Sequence, residues 1–163
     1  MMKRHLLPLL LAIAGPAAAE KVVFTAARMI DVEAGKVVEH PAVFVEDGRI
    51  VSIADARTVR WGADVRHVDL GDKTLLPGLI DMHVHLDSLA EIGGYNSLQY
   101  TDRFWSMVAV KNAREMLDAG FTTVRNVGAD AFNDVGLKQA IDEGYAVGPR
   151  VVPAAHALGA TGG

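Results

Sequence analysis

From Val22 to Leu76 the apolar residues come in short runs broken by turn residues, and beyond Leu75 they alternate with stretches of helical period. The first pattern predicts strands. "VVFTAARMID" opens with β-branched and aromatic residues, which favour extended backbone. "AVFVEDGRIVSI" sets Asp47-Gly48 between two such runs. That predicts a type I′ hairpin, because both central residues must take positive φ. "DVRHVDL" predicts a further strand, with Val68 and Leu70 on one face and His67 and Asp69 on the other. No helical period occurs here, so the region reads as a small antiparallel β unit. His40 and His67 are expected on solvent-facing strand or loop positions.

The second pattern begins with the strand "LIDMHVH", followed by a long polar loop to Thr101. A helix is predicted from about Arg103 to Ala119, with Asp102 as its N-cap and Met107, Val110, Ala113 and Leu117 as its buried stripe. Phe104 and Trp105 at its start are expected in the core. Gly120 fits the left-handed position after the last turn. "FTTVRNV" reads as a second strand, Leu137, Ala140 and Ile141 mark a second helix ending at Gly144, and "PRVVPAA" reads as a third strand. Strand, helix, strand, helix, strand is the grammar of parallel βα units. A closed (β/α)8 barrel takes about 250 residues, so three units are the start of one. With its glycine-rich end "GATGG", the chain is expected to be the N-terminal part of a longer protein.

The first residues have a different character. "MMKRH" is a basic lead, and "LLPLLLAIAG" is an apolar segment of about ten residues, too short to span a bilayer. "PAAAE" offers cleavage after Ala19. Residues 1–19 are therefore expected to be a signal peptide, and the mature protein to be periplasmic or secreted. The chain contains no Cys, so neither a lipid-modified exported form nor a disulfide framework is available. Half of the residues are hydrophobic, which argues against disorder. The net charge is −4, and loss of Lys3 and Arg4 with the leader makes the protein more acidic still. An acidic chain without a basic run has no electrostatic footprint for nucleic acid or for an anionic membrane surface. A homo-oligomer is left open.

The strand "LIDMHVH" carries Asp81, His83 and His85 at alternate positions, so all three point to one face. Two imidazoles on an apolar parallel-type strand are costly without a partner. At the carboxyl end of a βα strand they can converge on one divalent cation. The upstream Leu76-Pro77-Gly78-Leu79 predicts a type II turn, with Gly78 at positive φ. Asp81 is expected to neutralise local charge or to hydrogen-bond a ligand histidine. His156, just after the third strand, and Tyr95, in the long loop, are candidates for substrate contact.

"LLPGLIDMHVHL" resembles the first barrel strand of the amidohydrolase superfamily, whose signature is P-G-x-[IV]-D-x-H-x-H. "VEDGRIVSI", "DLGDKTLLPG", "AGFTTVRNVG", "AIDEGYAVGPRVVPA" and "HALGATGG" are similar to its imidazolonepropionase-like branch, which includes exported Xaa-Pro dipeptidases. The resemblance covers nearly all of residues 22–163. It implies an α/β fold: the first three βα units of a TIM-type (β/α)8 barrel in residues 75–163, preceded by part of a small composite β-sandwich in residues 20–74. It implies one or two divalent metals, usually zinc, with His83 and His85 as the first-strand ligands. The other ligands of the family, a Lys or Glu, two His and an Asp that also shuttles the proton, belong to later strands and are expected beyond residue 163. In relatives "TGG" is commonly followed by a substrate-holding His, and Arg125-Asn126 stands where relatives often have Arg-Asp.

The activity so implied is metal-dependent hydrolysis of an amide or peptide-like C–N bond in a small substrate such as a dipeptide, by activated water. The fragment by itself is expected to be inactive. A cyclic-amide hydrolase or a deaminase of the same superfamily is the alternative reaction. A non-catalytic exported metal-binding module is the alternative of another class.

Overall fold

The computed structural model describes residues 20–161, so the leader assigned to residues 1–19 lies outside the described residues. The chain divides into two compact units between Pro77 and Gly78.

The first unit is all β. Its strands are β1 (Lys21–Thr25), β2 (Arg28–Asp31), β3 (Lys36–Glu39), β4 (Pro41–Glu46), β5 (Arg49–Asp55), β6 (Arg66–Asp69) and β7 (Thr74–Leu75). They form two sheets, ordered β5-β4-β1-β6 and β3-β2-β7. The β4–β5 hairpin turns on Asp47 at φ 47° and Gly48 at φ 73°, as the Asp-Gly pair predicts. Val22, Val23, Ala42 and Val43 are buried. The expectation of a purely antiparallel unit needs correction. β6 runs parallel to β1, and β7 runs parallel to β2. A tight hairpin enforces antiparallel pairing, whereas a strand returning after a longer connection is free to pair in the same sense. His67 is exposed, with Nε2 2.8 Å from Thr25 Oγ1 and its ring on Trp61.

The second unit carries β8 (Leu79–Val84), a 3-10 turn at Gly94–Gln99, α1 (Asp102–Asp118), β9 (Phe121–Asn126), α2 (Asn133–Asp142) and β10 (Arg150–Val152). β9 is central, with β8 and β10 parallel to it on either side. α1 packs on β9, α2 on β10, and the helices on each other. Leu86, Ala109, Ala113, Val124, Leu137 and Val151 form the core, with Val84, Met116, Phe121 and Ile141 at its margin. Gly120 (φ 95°) and Gly144 (φ 78°) follow the two helices in the left-handed conformation.

Three local expectations change. The N-cap of α1 is Thr101, whose hydroxyl accepts from Phe104 N; Asp102 sits one residue inside, where its charge favours the helix start. The buried face of α1 is Trp105, Val108, Ala109 and Ala113 rather than the stripe starting at Met107. Met107 and Val110 are exposed and border the groove toward Leu137 and Ala140 of α2. A helix in a βα layer has two partners, the sheet and the next helix, and apolar spacing alone does not tell them apart. Gly78 does not take positive φ. It is glycine because a Cβ there would overlap the side chain of Thr122. The tight spot lies where β8 enters the sheet beside β9, and Leu79 N donates to Gly120 O at 2.9 Å in the same place.

Ile80 and Met82 of β8 are 62% and 67% exposed. β8 is an edge of the three-stranded sheet and α1 lies over β9, so only Val84, at the far end of the strand, reaches the core.

Two predictions come from these contacts. Gly78→Ala should destabilise the protein by about 1–3 kcal/mol through overpacking. Adding Thr122→Ala should recover part of that loss, as read by urea midpoints. In the first unit, the Arg57 guanidinium hydrogen-bonded to Asp55 lowers its carboxyl from 3.8 to about 2. A depressed carboxylate stabilises the fold above its unfolded pKa. That contribution should therefore fade as pH falls from about 4 toward about 2. Carboxyl NMR titration should find the low midpoint, and Arg57→Ala should raise it only part of the way, because the backbone N–H of residue 57 still donates to Asp55 Oδ1 at 2.9 Å.

Candidate functional site

The carboxyl ends of β8, β9 and β10 meet in one region. His83 lies in β8 and His85 directly after it. Both are exposed, and their rings stand edge to face with centroids 5.5 Å apart. The alternation of a strand puts them on one side, and the register irregularity between Asp81 and Val84 falls at this end. Asp81 Oδ1 accepts from the backbone N–H of His83 at 2.9 Å. It therefore touches His83 through the main chain, not through the imidazole.

His85 opens into a hollow of about 370 Å³, bordered also by Asp87, Ser88, Gly128, Asp130 and His156. The fold thus brings His156, 71 positions away in sequence, to the same hollow as His85. The His156 ring packs against Phe132 with centroids 4.4 Å apart. Tyr95 lies in the 3-10 turn, 91% exposed, and does not line the hollow. Tyr100 stacks on Phe104, with ring centroids 4.4 Å apart.

The rim of the hollow is built from loops tied to one another. Asp87 Oδ2 accepts from Asp130 N at 3.0 Å and from Asn133 Nδ2 at 3.1 Å. Asn133 Oδ1 in turn accepts from Ser106 Oγ of α1 at 2.6 Å. Beneath the rim, Asp134 and Asn126 are almost wholly buried. Asp134 accepts from the backbone of Val135, Ala154 and Ala155 and from Asn126 Nδ2. Ala131, Phe132 and Ala155 hold positive φ without being glycine. Each such residue stores about 1–3 kcal/mol of strain. Ala155 is pinned by its N–H on Asp134 and by Ala129 N on its carbonyl at 2.8 Å.

From the sequence Asp87, Gly128 and Asp134 draw no notice, and Asn126 stands out only as an Asn where relatives often have Asp. A further signal was available at Asn126: it follows Val124 at i+2 in an apolar strand, the same anomaly that drew notice to the histidines. Asp134 had none, because an acidic residue in the first turn of a helix is ordinary.

Among the described residues no group of three or more His, Asp or Glu side chains is arranged to hold a metal ion. The donors present are two imidazoles on one strand face. Their chemistry fits two positions of a four-coordinate site.

Parallel strands alternating with helices, with polar groups gathered at the carboxyl strand ends, make this an α/β protein built as a (β/α)8 enzyme is built. The chain belongs to the amidohydrolase family, whose model matches residues 74–159. A prolidase complexed with N-methylphosphonate-L-proline is 34% identical, with a TM-score of 0.73 over 88% of this chain and 34% of that one. A Xaa-Pro dipeptidase with methionine bound in its active site is 28% identical, with a TM-score of 0.78 over 88% of this chain and 35% of that one. The dihydroorotase of Pelotomaculum thermopropionicum is 42% identical over 66 residues, 40% of this chain and 14% of the relative. The chain therefore spans about a third of these solved structures and a smaller share of the curated relative.

The rim ties predict a graded response. Asp87→Ala should leave the Asn133 amide without its acceptor and cost about 1–3 kcal/mol. Asp87→Asn, which keeps one acceptor oxygen, should cost less. Thermal unfolding gives the stabilities, and amide hydrogen exchange at Asp130 should quicken in step.

Proposed function

We propose that this chain carries the first ligand strand of an exported, metal-dependent hydrolase that cleaves an amide or peptide-like C–N bond in a small substrate such as a dipeptide. The observation that carries the reading is the pair His83 and His85, exposed on one strand face with ring centroids 5.5 Å apart, beside a hollow wide enough for a small polar molecule. The likeness to a prolidase and to a Xaa-Pro dipeptidase favours a dipeptide among amide substrates.

In this reading His83 and His85 hold a divalent cation, zinc by preference, and the remaining donors and the proton-shuttling carboxylate come from strands beyond residue 163. A bound cation supplies Lewis acidity, polarising the scissile carbonyl and lowering the pKa of water to about 7. The residues of this chain bind and orient. His156 borders the substrate space, and Asp81 holds the His83 main chain in place. Residues 20–163 alone turn over no dipeptide at enzyme rates, because most of the donor set is missing. Residues 1–19 direct export and are removed after Ala19. The match to a dihydroorotase favours, as second reading, a cyclic amide as the substrate.

The test compares His83→Ala, His85→Ala, Val84→Ala and Asp81→Asn in the longer protein. Both histidine variants should lose bound metal, read by elemental analysis, and lose dipeptide hydrolysis while keeping the melting temperature of the metal-free parent. Val84→Ala should lose about 1–3 kcal/mol of stability and keep its metal in the folded fraction. Asp81→Asn keeps an acceptor for His83 N and should change metal affinity less than either histidine variant. Full metal stoichiometry in both histidine variants would refute the reading. Turnover of dihydroorotate-like rings but not of dipeptides would favour the second substrate class.

A further inference from the structure

We infer that Asn126 is a positioning residue for His85, and that it sets which ring nitrogen of His85 faces the site. The inference deepens the proposed metal role of His85 and rests on it only for its affinity arm.

Asn126 is wholly buried at the end of the central strand, and all its polar atoms are used. Its Oδ1 accepts from Leu86 N at 2.8 Å, the peptide that joins His85 to Leu86. Its Nδ2 donates to Gly128 O at 3.0 Å and to Asp134 Oδ2 at 3.2 Å. Among the described residues Gly128 O is also the one hydrogen-bond partner of the His85 ring, 3.4 Å from Nδ1. One amide therefore holds both the main chain of His85 and the carbonyl that its ring addresses. From the other side, Asn112 Nδ2 of α1 donates to Leu86 O at 2.7 Å and to Ser88 O at 3.0 Å. Leu86 is thus clamped at its N–H and at its carbonyl, and its side chain is buried in the core.

The chemistry of the clamp is directional. A carbonyl oxygen only accepts, so Gly128 O selects the tautomer of His85 with the proton on Nδ1. That leaves Nε2 as the free lone pair, the atom able to ligate a cation. A Cβ at Gly128 would come within 2.8 Å of the Ala157 Cβ, so any larger residue there forces a local shift beside this carbonyl. Asparagine is needed because the same side chain must donate to two oxygens and accept from one N–H. Aspartate, its isostere, would set a carboxylate against Asp134 and against Gly128 O.

The experiment reads the His85 ring directly in metal-free protein. Nitrogen-15 NMR of the histidine side chains at pH 8, with His85 assigned by loss of its signals in His85→Ala, should show the Nδ1–H tautomer in the parent. Asn126→Asp and Asn126→Ala should shift His85 to a mixture of tautomers and leave the His40 and His67 signals unmoved. Zinc titrated into the metal-free longer protein should bind about 10–100-fold more weakly to Asn126→Asp than to the parent. The Nε2–H tautomer in the parent overturns the inference, and this arm needs no variant to fold. An unchanged His85 tautomer in a folded Asn126 variant overturns it as well. If His85→Ala binds zinc as tightly as the parent, the proposed metal role fails while the tautomer result still decides the positioning role.

Discussion

The second unit depends on one buried polar contact, the hydrogen bond between Asn126 and Asp134. Parallel strands expose their last carbonyls and the N–H groups of the following loops at one end of the sheet. No neighbouring strand satisfies those groups, so side chains must. Asn126 takes the Leu86 N–H after β8 and the Gly128 carbonyl after β9. Asp134 takes the Ala154 and Ala155 N–H groups after β10 and ties them back to Asn126. The three strand ends are thereby joined through two side chains. Leaving any one of these buried groups unpaired costs about 1–3 kcal/mol. Among the described residues no buried side-chain nitrogen or oxygen lacks a partner.

That polar joint sits directly above an apolar one. Val124 and Asn126 are successive residues on one face of β9, both fully buried, so the strand passes from core to joint in a single step. Leu137 and Val151 close the core below, while Asp134, three residues before Leu137 on α2, closes the joint above. The arrangement separates stability from chemistry. Packing energy accumulates under the sheet ends, and the exposed histidines and strained loops stand over it. Rigid support is what lets Ala131, Phe132 and Ala155 keep unfavourable backbone angles beside the hollow.

Much of this was legible from local pattern. The Asp47-Gly48 hairpin, the parallel βα order, the glycines ending both helices and the shared face of His83 and His85 all follow from interactions within a few residues. So does the likeness to the amidohydrolases, because the "PGLIDMHVH" motif is contiguous. The errors have a common origin in contacts between distant segments. Gly78 read as a turn glycine, but its constraint is Thr122 on the adjacent strand. The Met107 and Val110 stripe read as a core face, but it borders a groove toward the next helix. Parallel pairing of β6 and β7 depends on where long connections return.

By itself the sequence marked the candidate residues, since an imidazole in an apolar strand is anomalous in any fold. It also determined the elements, since turn geometry and side-chain periodicity are local. Only the tertiary structure decided which of those residues share a space. It set His156 beside His85 and left Tyr95 outside the hollow. It also gave Asn126 and Asp134 their role, because that role consists of hydrogen bonds to backbone up to 40 positions away. Such bonds are fixed by how three strand ends converge, and convergence is a property of packed elements that no stretch of chain contains alone.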